Sequence, residues 1–193
     1  MVFTTGVETK IGFDKIRHLL KSNCLSTLGE KKVDELVVST DYEEIIEQLN
    51  QTNEFLKIVK DEDEFPIDSY YDIKKCIEKI AVEGTFIEVT DLFKLRQSLA
   101  TIGRIVKFFK GKEDESFFYL KQLSNDVATF PEIVNSIDRI LDKFGEIKNN
   151  ASPELAAIRR NIEEERGSIS KAIQKILQQA QSEGYVDKEA TPT

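Results

Sequence analysis

One stretch constrains this chain more than any other: between Ser152 and Gly184 there is no helix breaker except Gly167, and the apolar residues form a single narrow stripe. Leu155, Ile158, Ile162, Ile169, Ile173, Ile176 and Ala180 fall three, four or seven positions apart, with an interruption at Glu165-Arg166. That period predicts one face of an α-helix. Its start is well marked at Ser152-Pro153-Glu154. The serine hydroxyl can cap, the proline takes the first turn where its missing N–H costs nothing, and the glutamate complements the helix dipole. Such a helix, from Ser152 to Glu183, would be roughly 48 Å long at 1.5 Å per residue. Arg159, Arg160, Glu163, Glu164, Arg166, Lys171 and Lys175 fill its other faces. A stripe this thin needs one or two partner helices and not a broad core. No second long helix of matching pattern follows before Thr193, so we expect the rod to be one half of a two-way arm in a longer protein. Gly167 marks either a flexible point or a tolerated surface glycine, at about 1 kcal/mol relative to alanine.

The remainder reads as helix almost throughout, and the expected fold class is all-α. Only 4 prolines, 9 glycines and no tryptophan appear among 193 residues, which disfavours a sandwich or barrel. Phe13, Ile16, Leu19 and Leu20 mark a first helix, and Ser26 can cap a second that carries Val33 and Leu36. Thr40 or Asp41 opens a long third helix through Ile45, Ile46, Leu49, Phe55, Leu56 and Val59, ending in the acidic run Asp61-Glu62-Asp63-Glu64, which we read as a solvated loop. Ile73, Ile77 and Ile80 form a short helix closed near Gly84, and Thr85 to Val89 is an extended approach to the next. Thr90 and Asp91 suit the start of that helix; Leu92, Leu95, Leu99, Ile102, Val106 and Phe109 run along it to a stop at Gly111. Further helices begin at Phe117-Phe118 and at Pro131, and Asp142 to Ala151, with turn formers Gly145 and Asn149-Asn150, breaks the pattern. The expected organisation is a helical core over 1–141, a turn over 142–151, a long helix over 152–184 and the start of a further region over 185–193.

Catalytic chemistry is hard to find. His18 is the single histidine, too few for a zinc site or a Ser-His-Asp constellation, and it reads as a surface residue. No G-x-x-x-x-G-K-[ST] or G-x-G-x-x-G loop exists; Gly111-Lys112 lacks both the upstream glycine and the following hydroxyl. Glu163-Glu164-Glu165 occupies consecutive helical positions, which point apart, so it is a solvated face and not an acid/base pair. The net charge of −8 and isoelectric point of about 4.9 make the chain a poor autonomous ligand for a polyphosphate backbone. Phe108-Phe109 and Phe117-Phe118-Tyr119, near Lys107, Lys110 and Lys112, read as core packing at helix ends in preference to a base-stacking patch. Cys24 and Cys76 read as buried free thiols. No apolar run suits a signal peptide or a membrane span, and a cytoplasmic location is expected.

Phe144 to Arg159, with Gly145 before Ile147, a polar spacer, then Ala151-Ser152 and Leu155, resembles the approach to the lever helix in MutS-family paralogues that lack the mismatch-reading domain. Phe13-Asp14-Lys15-Ile16, Leu28-Gly29, Ser39-Thr40-Asp41 and Thr52-Asn53-Glu54 fall in the order and spacing of that family's opening helices, and Gly184-Tyr185-Val186 sits where the lever meets the clamp. The chain departs from the family at Val37-Val38, where a proline is frequent, and at Glu83-Gly84, where paired glycines are common. The resemblance implies the core and outgoing lever of a homodimeric ATPase that binds branched DNA and suppresses recombination, some members rescuing collided ribosomes. It implies no catalytic, cofactor or metal residue in this chain. ATP and magnesium are expected in a separate ATPase domain, with nuclease activity, where present, in another. Gly145, Ser152, Pro153, Leu155, Ile158, Ile162, Ile169, Ile173 and Ile176 are the structural residues of the lever. The implied partners are the chain's own ATPase and clamp domains and a second copy, with nucleic acid or ribosome reached only through the complete protein, and no membrane. The competing reading is a free-standing helical adaptor that dimerises through the 152–183 seam; a third is an independent nucleic-acid binder.

Overall fold

A computed structural model describes residues 5–61, 65–68, 70–112 and 116–187. Among these the fold is all-α, with helices α1 (Thr5–Ile11), α2 (Phe13–Ser22), α3 (Thr27–Asp34), α4 (Tyr42–Asp61), α5 (Lys74–Ile80), α6 (Val89–Lys110), α7 (Phe118–Asn125), α8 (Pro131–Ile140) and α9 (Pro153–Ser182). The chain divides into two units, residues 1–138 and 139–193, and the division falls inside α8.

The first unit opens with a helix the apolar pattern did not announce, α1, which Gly12 joins to α2 through a left-handed φ of 78°. Arg17 organises this end. Its guanidinium donates to Glu8 at 2.8 Å, to the carbonyl of Leu36 at 3.0 Å and to that of Val33, and it lies over the Phe13 ring. One side chain thereby satisfies carbonyls at the end of α3 while tying α1 to α2. The Ser26 hydroxyl accepts from the Gly29 amide and caps α3, and the Asp41 carboxylate accepts from the amides of Glu43 and Glu44 at the head of α4.

The core of this unit lies where α4 and α6 meet residues 65–68 and 70–73. Ile58 of α4 and Val106 and Phe109 of α6 are buried. Phe65 packs edge-on against Phe55 and Phe108 at 5.4 and 5.2 Å, so the Phe108-Phe109 pair belongs to an aromatic cluster. The buried Ser98 hydroxyl accepts from the Tyr71 amide at 3.0 Å, and at the surface nearby Arg104 pairs with Asp68 at 2.7 Å, both side chains exposed. Glu54, mid-way along α4, accepts from the Tyr119 and Leu120 amides and caps α7 from 65 residues away. Phe117, just before that helix, is held at a φ of 55°, a left-handed conformation unusual for an aromatic residue. Arg96 grips Asp138 through two hydrogen bonds, 2.7 and 3.1 Å, joining α6 to α8. That carboxylate raises the guanidinium pKa.

Several expectations need correction. Cys24 and Cys76 are free but half-buried, not buried; burial still pushes the Cys76 thiol pKa up. α6 begins at Val89 with Glu88 at the cap position and no side-chain capping bond, so Thr90 is not its cap, while Asp91 does lie in the first turn, where its charge suits the helix dipole. Thr85 to Glu88 forms neither helix nor strand, as expected of the approach to this helix, and Glu88 is extended; the Thr85 hydroxyl donates to the Lys79 and Val82 carbonyls. Gly111 ends α6 in a right-handed conformation, φ −83°, so its freedom to turn left is not used. Asp61 closes α4; the rest of the acidic run, residues 62–64, lies outside the described residues.

Candidate functional site

The second unit contains every residue singled out for the lever. Its base is a tight turn. Leu141 pairs with Ile147 as an isolated antiparallel bridge, closed by Asp142 N to Glu146 O and Lys148 N to Ile140 O, both 2.9 Å. The chain reverses between them because Gly145 adopts a φ of 85°, which a side chain would resist. The Asp142 carboxylate accepts from the Phe144 and Glu146 amides, both at 2.9 Å. Those N–H groups, the Glu146 bond first, hold its pKa below the usual aspartate range, with Lys148 adding to the effect. Leu141 is almost wholly buried.

From this turn the chain enters α9. Ser152 is extended, and its hydroxyl accepts from the Leu155 amide at 3.1 Å, with Pro153 in the first turn. The Glu154 pKa is lowered, chiefly by its own backbone N–H and then by Ser152. Arg159, two turns in, donates back to the Ile147 carbonyl at 3.3 Å and to the Asn149 side chain. The guanidinium thus ties the helix to the turn that launches it. The turn expected over 142–151 is thus present with Gly145 at its positive φ, because aspartate accepts locally and glycine supplies that conformation. Nothing in the sequence pattern pointed to the Arg159 tie, since its partners lie on irregular backbone.

α9 is one unbroken helix, about 45 Å long at 1.5 Å per residue. It ends on Gly184 at φ 78°, where Tyr185 N donates to Ala180 O and Gly184 N to Gln181 O. This pair of bonds is a Schellman cap. Gly167 sits mid-helix, and a Cβ added there would meet nothing within 4 Å. Leu155 is half-buried. Ile158, Ile162, Ile169, Ile173 and Ile176 are exposed, from 45% for Ile173 to 67% for Ile176. The named side chains therefore form a capped start, a tied base and an uncovered apolar edge. They do not converge on a pocket, and among the described residues no group of histidine, cysteine and carboxylate side chains could hold a metal ion. Nor is any described helix long and apolar enough to cross a membrane.

The nearest thing to a phosphate loop, Gly111-Lys112, also lacks the fit. Gly111 closes a helix, and the Lys112 ammonium lies 4.8 Å from the centre of the Phe108 ring. His18 is exposed.

Comparison with known proteins gives this arrangement a setting. No protein-family model and no solved structure matches the chain. A protein named Endonuclease MutS2 from Alkaliphilus oremlandii is 27% identical over 175 residues, 90% of this chain and 22% of that protein. Another of that name from Clostridium botulinum (strain Eklund 17B) is 31% identical over 166 residues, 86% of this chain and 21% of its own length. A third, from Clostridioides difficile, is 26% identical over 176 residues, 90% and 22%. The chain is MutS2-like. This MutS2-like chain spans about a fifth of the length of the curated relatives it matches.

Proposed function

We propose that this MutS2-like chain is the non-catalytic core and outgoing lever of an ATPase acting in DNA repair and suppression of recombination. Its task is to carry motion between a clamp that grips nucleic acid and a nucleotide-binding domain. The observation that carries this reading is α9: a single capped helix tied at its base by Arg159, with an apolar edge left exposed along its length. A helix of this kind moves as a rigid body and accepts a second helix along its edge. ATP and magnesium would bind in a nucleotide-binding domain outside residues 1–193, and any endonuclease activity of the kind named for the relatives would also lie outside them. Branched DNA or a collided ribosome would be engaged by the complete cytoplasmic homodimer, not by this segment.

The test has two stages. The reading frame of the native gene beyond Thr193 should encode a glycine-rich phosphate loop within a few hundred residues; a stop codon directly after Thr193 overturns the reading. In the complete protein, Gly167→Pro should break α9, because an interior proline costs about 3 kcal/mol. DNA binding and basal ATP hydrolysis should each survive, while stimulation of hydrolysis by DNA is lost. Unchanged stimulation would refute the lever.

The exposed isoleucines also favour a second reading, an adaptor that pairs through α9 of two copies. The reading frame beyond Thr193 separates the two, a stop codon directly after it favouring the adaptor. Sedimentation of the 193-residue chain tests the pairing the adaptor requires: a dimer that Ile162→Asp with Ile173→Asp converts to a monomer supports it, and a monomer overturns it.

A further inference from the structure

The chain is acidic overall, yet residues 92–112 contain no aspartate or glutamate while carrying Lys94, Arg96, Arg104, Lys107, Lys110 and Lys112. Arg96 and Arg104 are paired with Asp138 and Asp68, and Lys94 with Asp91. Lys107 and Lys110 are exposed, and no ion pair joins either to another described residue. They stand three positions apart on α6, so they share a face, one turn from each other. Below them lies a groove of about 380 Å³ between α6 and the start of α8. Leu99, Val106 and Val134 supply its apolar walls, Arg104, Lys107 and Lys110 line its α6 side, and no acidic residue is among its lining. Gly103 also lines it, and a Cβ added there would meet nothing within 4 Å.

We propose that this groove docks an acidic amphipathic helix of a partner protein. One apolar side chain of the partner fills the space above Gly103, and carboxylates a turn apart meet Lys107 and Lys110. The spacing suits a helix because glutamates at i and i+3 or i+4 have the same separation as the two lysines. Charge complementarity favours this occupant, and the aliphatic walls reward a side chain that a phosphodiester strand lacks. A nucleic acid is disfavoured by the net charge of −8 and by walls that offer few aromatic faces for stacked bases.

The experiment uses the 193-residue chain and three probes. These are a synthetic peptide of roughly 18 residues, about five helical turns, with a leucine stripe flanked by glutamates; the same peptide with glutamines; and a DNA duplex. Fluorescence anisotropy should show the glutamate peptide binding, with the glutamine peptide about tenfold weaker or worse. Lys107→Glu with Lys110→Glu should weaken the glutamate peptide by a similar factor, and raised salt should do the same. Gly103→Leu keeps every charge and projects into open space, so it should block the peptide while leaving the melting temperature unchanged or higher. Equal binding of both peptides, no binding of the glutamate peptide, or undiminished binding to Gly103→Leu would each overturn the proposal. Tighter binding of the duplex than of the glutamate peptide would overturn it in favour of a nucleic-acid surface.

Discussion

The two longest helices, α6 and α9, share a helical apolar period and have different fates. α6 buries Ser98, Thr101, Val106 and Phe109, because its apolar face is broad and is met by Phe65, by Tyr71 and by α7. α9 is longer and buries nothing to the same degree. Its stripe is one residue wide and is interrupted at Glu165-Arg166. Periodicity announces that a helix will form; the width of the stripe tells how many neighbours it needs. A helix with a broad face builds a core, and one with a thin edge waits for a partner.

The sharpest way to break this comparison is to truncate one apolar side chain on each helix. Phe109, 5% exposed, should cost about 3–5 kcal/mol when changed to alanine. Ile169, 55% exposed, should cost under about 1 kcal/mol on the same change, since little of its surface is withdrawn from water. Urea unfolding of the two variants measures the gap, and equal losses would mean that α9 is covered in solution.

A second contrast concerns caps. α7 is capped by Glu54 from a distant helix, whereas α9 is capped locally by Ser152. Glu54→Ala removes one acceptor from two amides and should cost about 1–3 kcal/mol. Ser152→Ala should cost about 1 kcal/mol. Thermal melts followed by circular dichroism would rank them. Gly167→Ala should act in the other direction. It should stabilise α9 by about 1 kcal/mol, since the added methyl meets no neighbour, and should raise the helical signal without altering the first unit.

The smallest effect is one of pH. The Asp142 carboxyl has its pKa depressed in the fold by the turn amides. A depressed carboxylate pKa contributes stability that is present above the unfolded value, near pH 4, and lost as pH falls through the folded value. Amide protection factors at Gly145 and Glu146, taken after correction for the intrinsic pH dependence of exchange, should therefore be unaltered from pH 7 to 5, and the turn should loosen only below about pH 4. Asp142→Asn should flatten that dependence.

Much of the architecture was legible beforehand because it rests on local chemistry. Ser26, Asp41 and Ser152 cap helices with their own side chains, Pro131 and Pro153 open them, and Gly145 and Gly184 turn the chain, each acting within a few residues of itself. α1 was missed because seven residues with Val7 and Ile11 give too short a pattern to stand out from a loop. The Arg159 tie and the groove beside Gly103 were illegible because each depends on backbone brought together by folding.

The amino-acid order alone determined where helices start and stop and that the last has a single thin edge, since capping and turning are settled by neighbours in the chain. Only the tertiary structure decided that Glu54 would cap a helix 65 residues away, that Arg17 would collect carbonyls from the end of α3, and that two lysines of α6 would border an acid-free groove. Those outcomes require distant segments to meet, and the entropy of bringing them together is repaid by burial shared among several helices and not by any local preference.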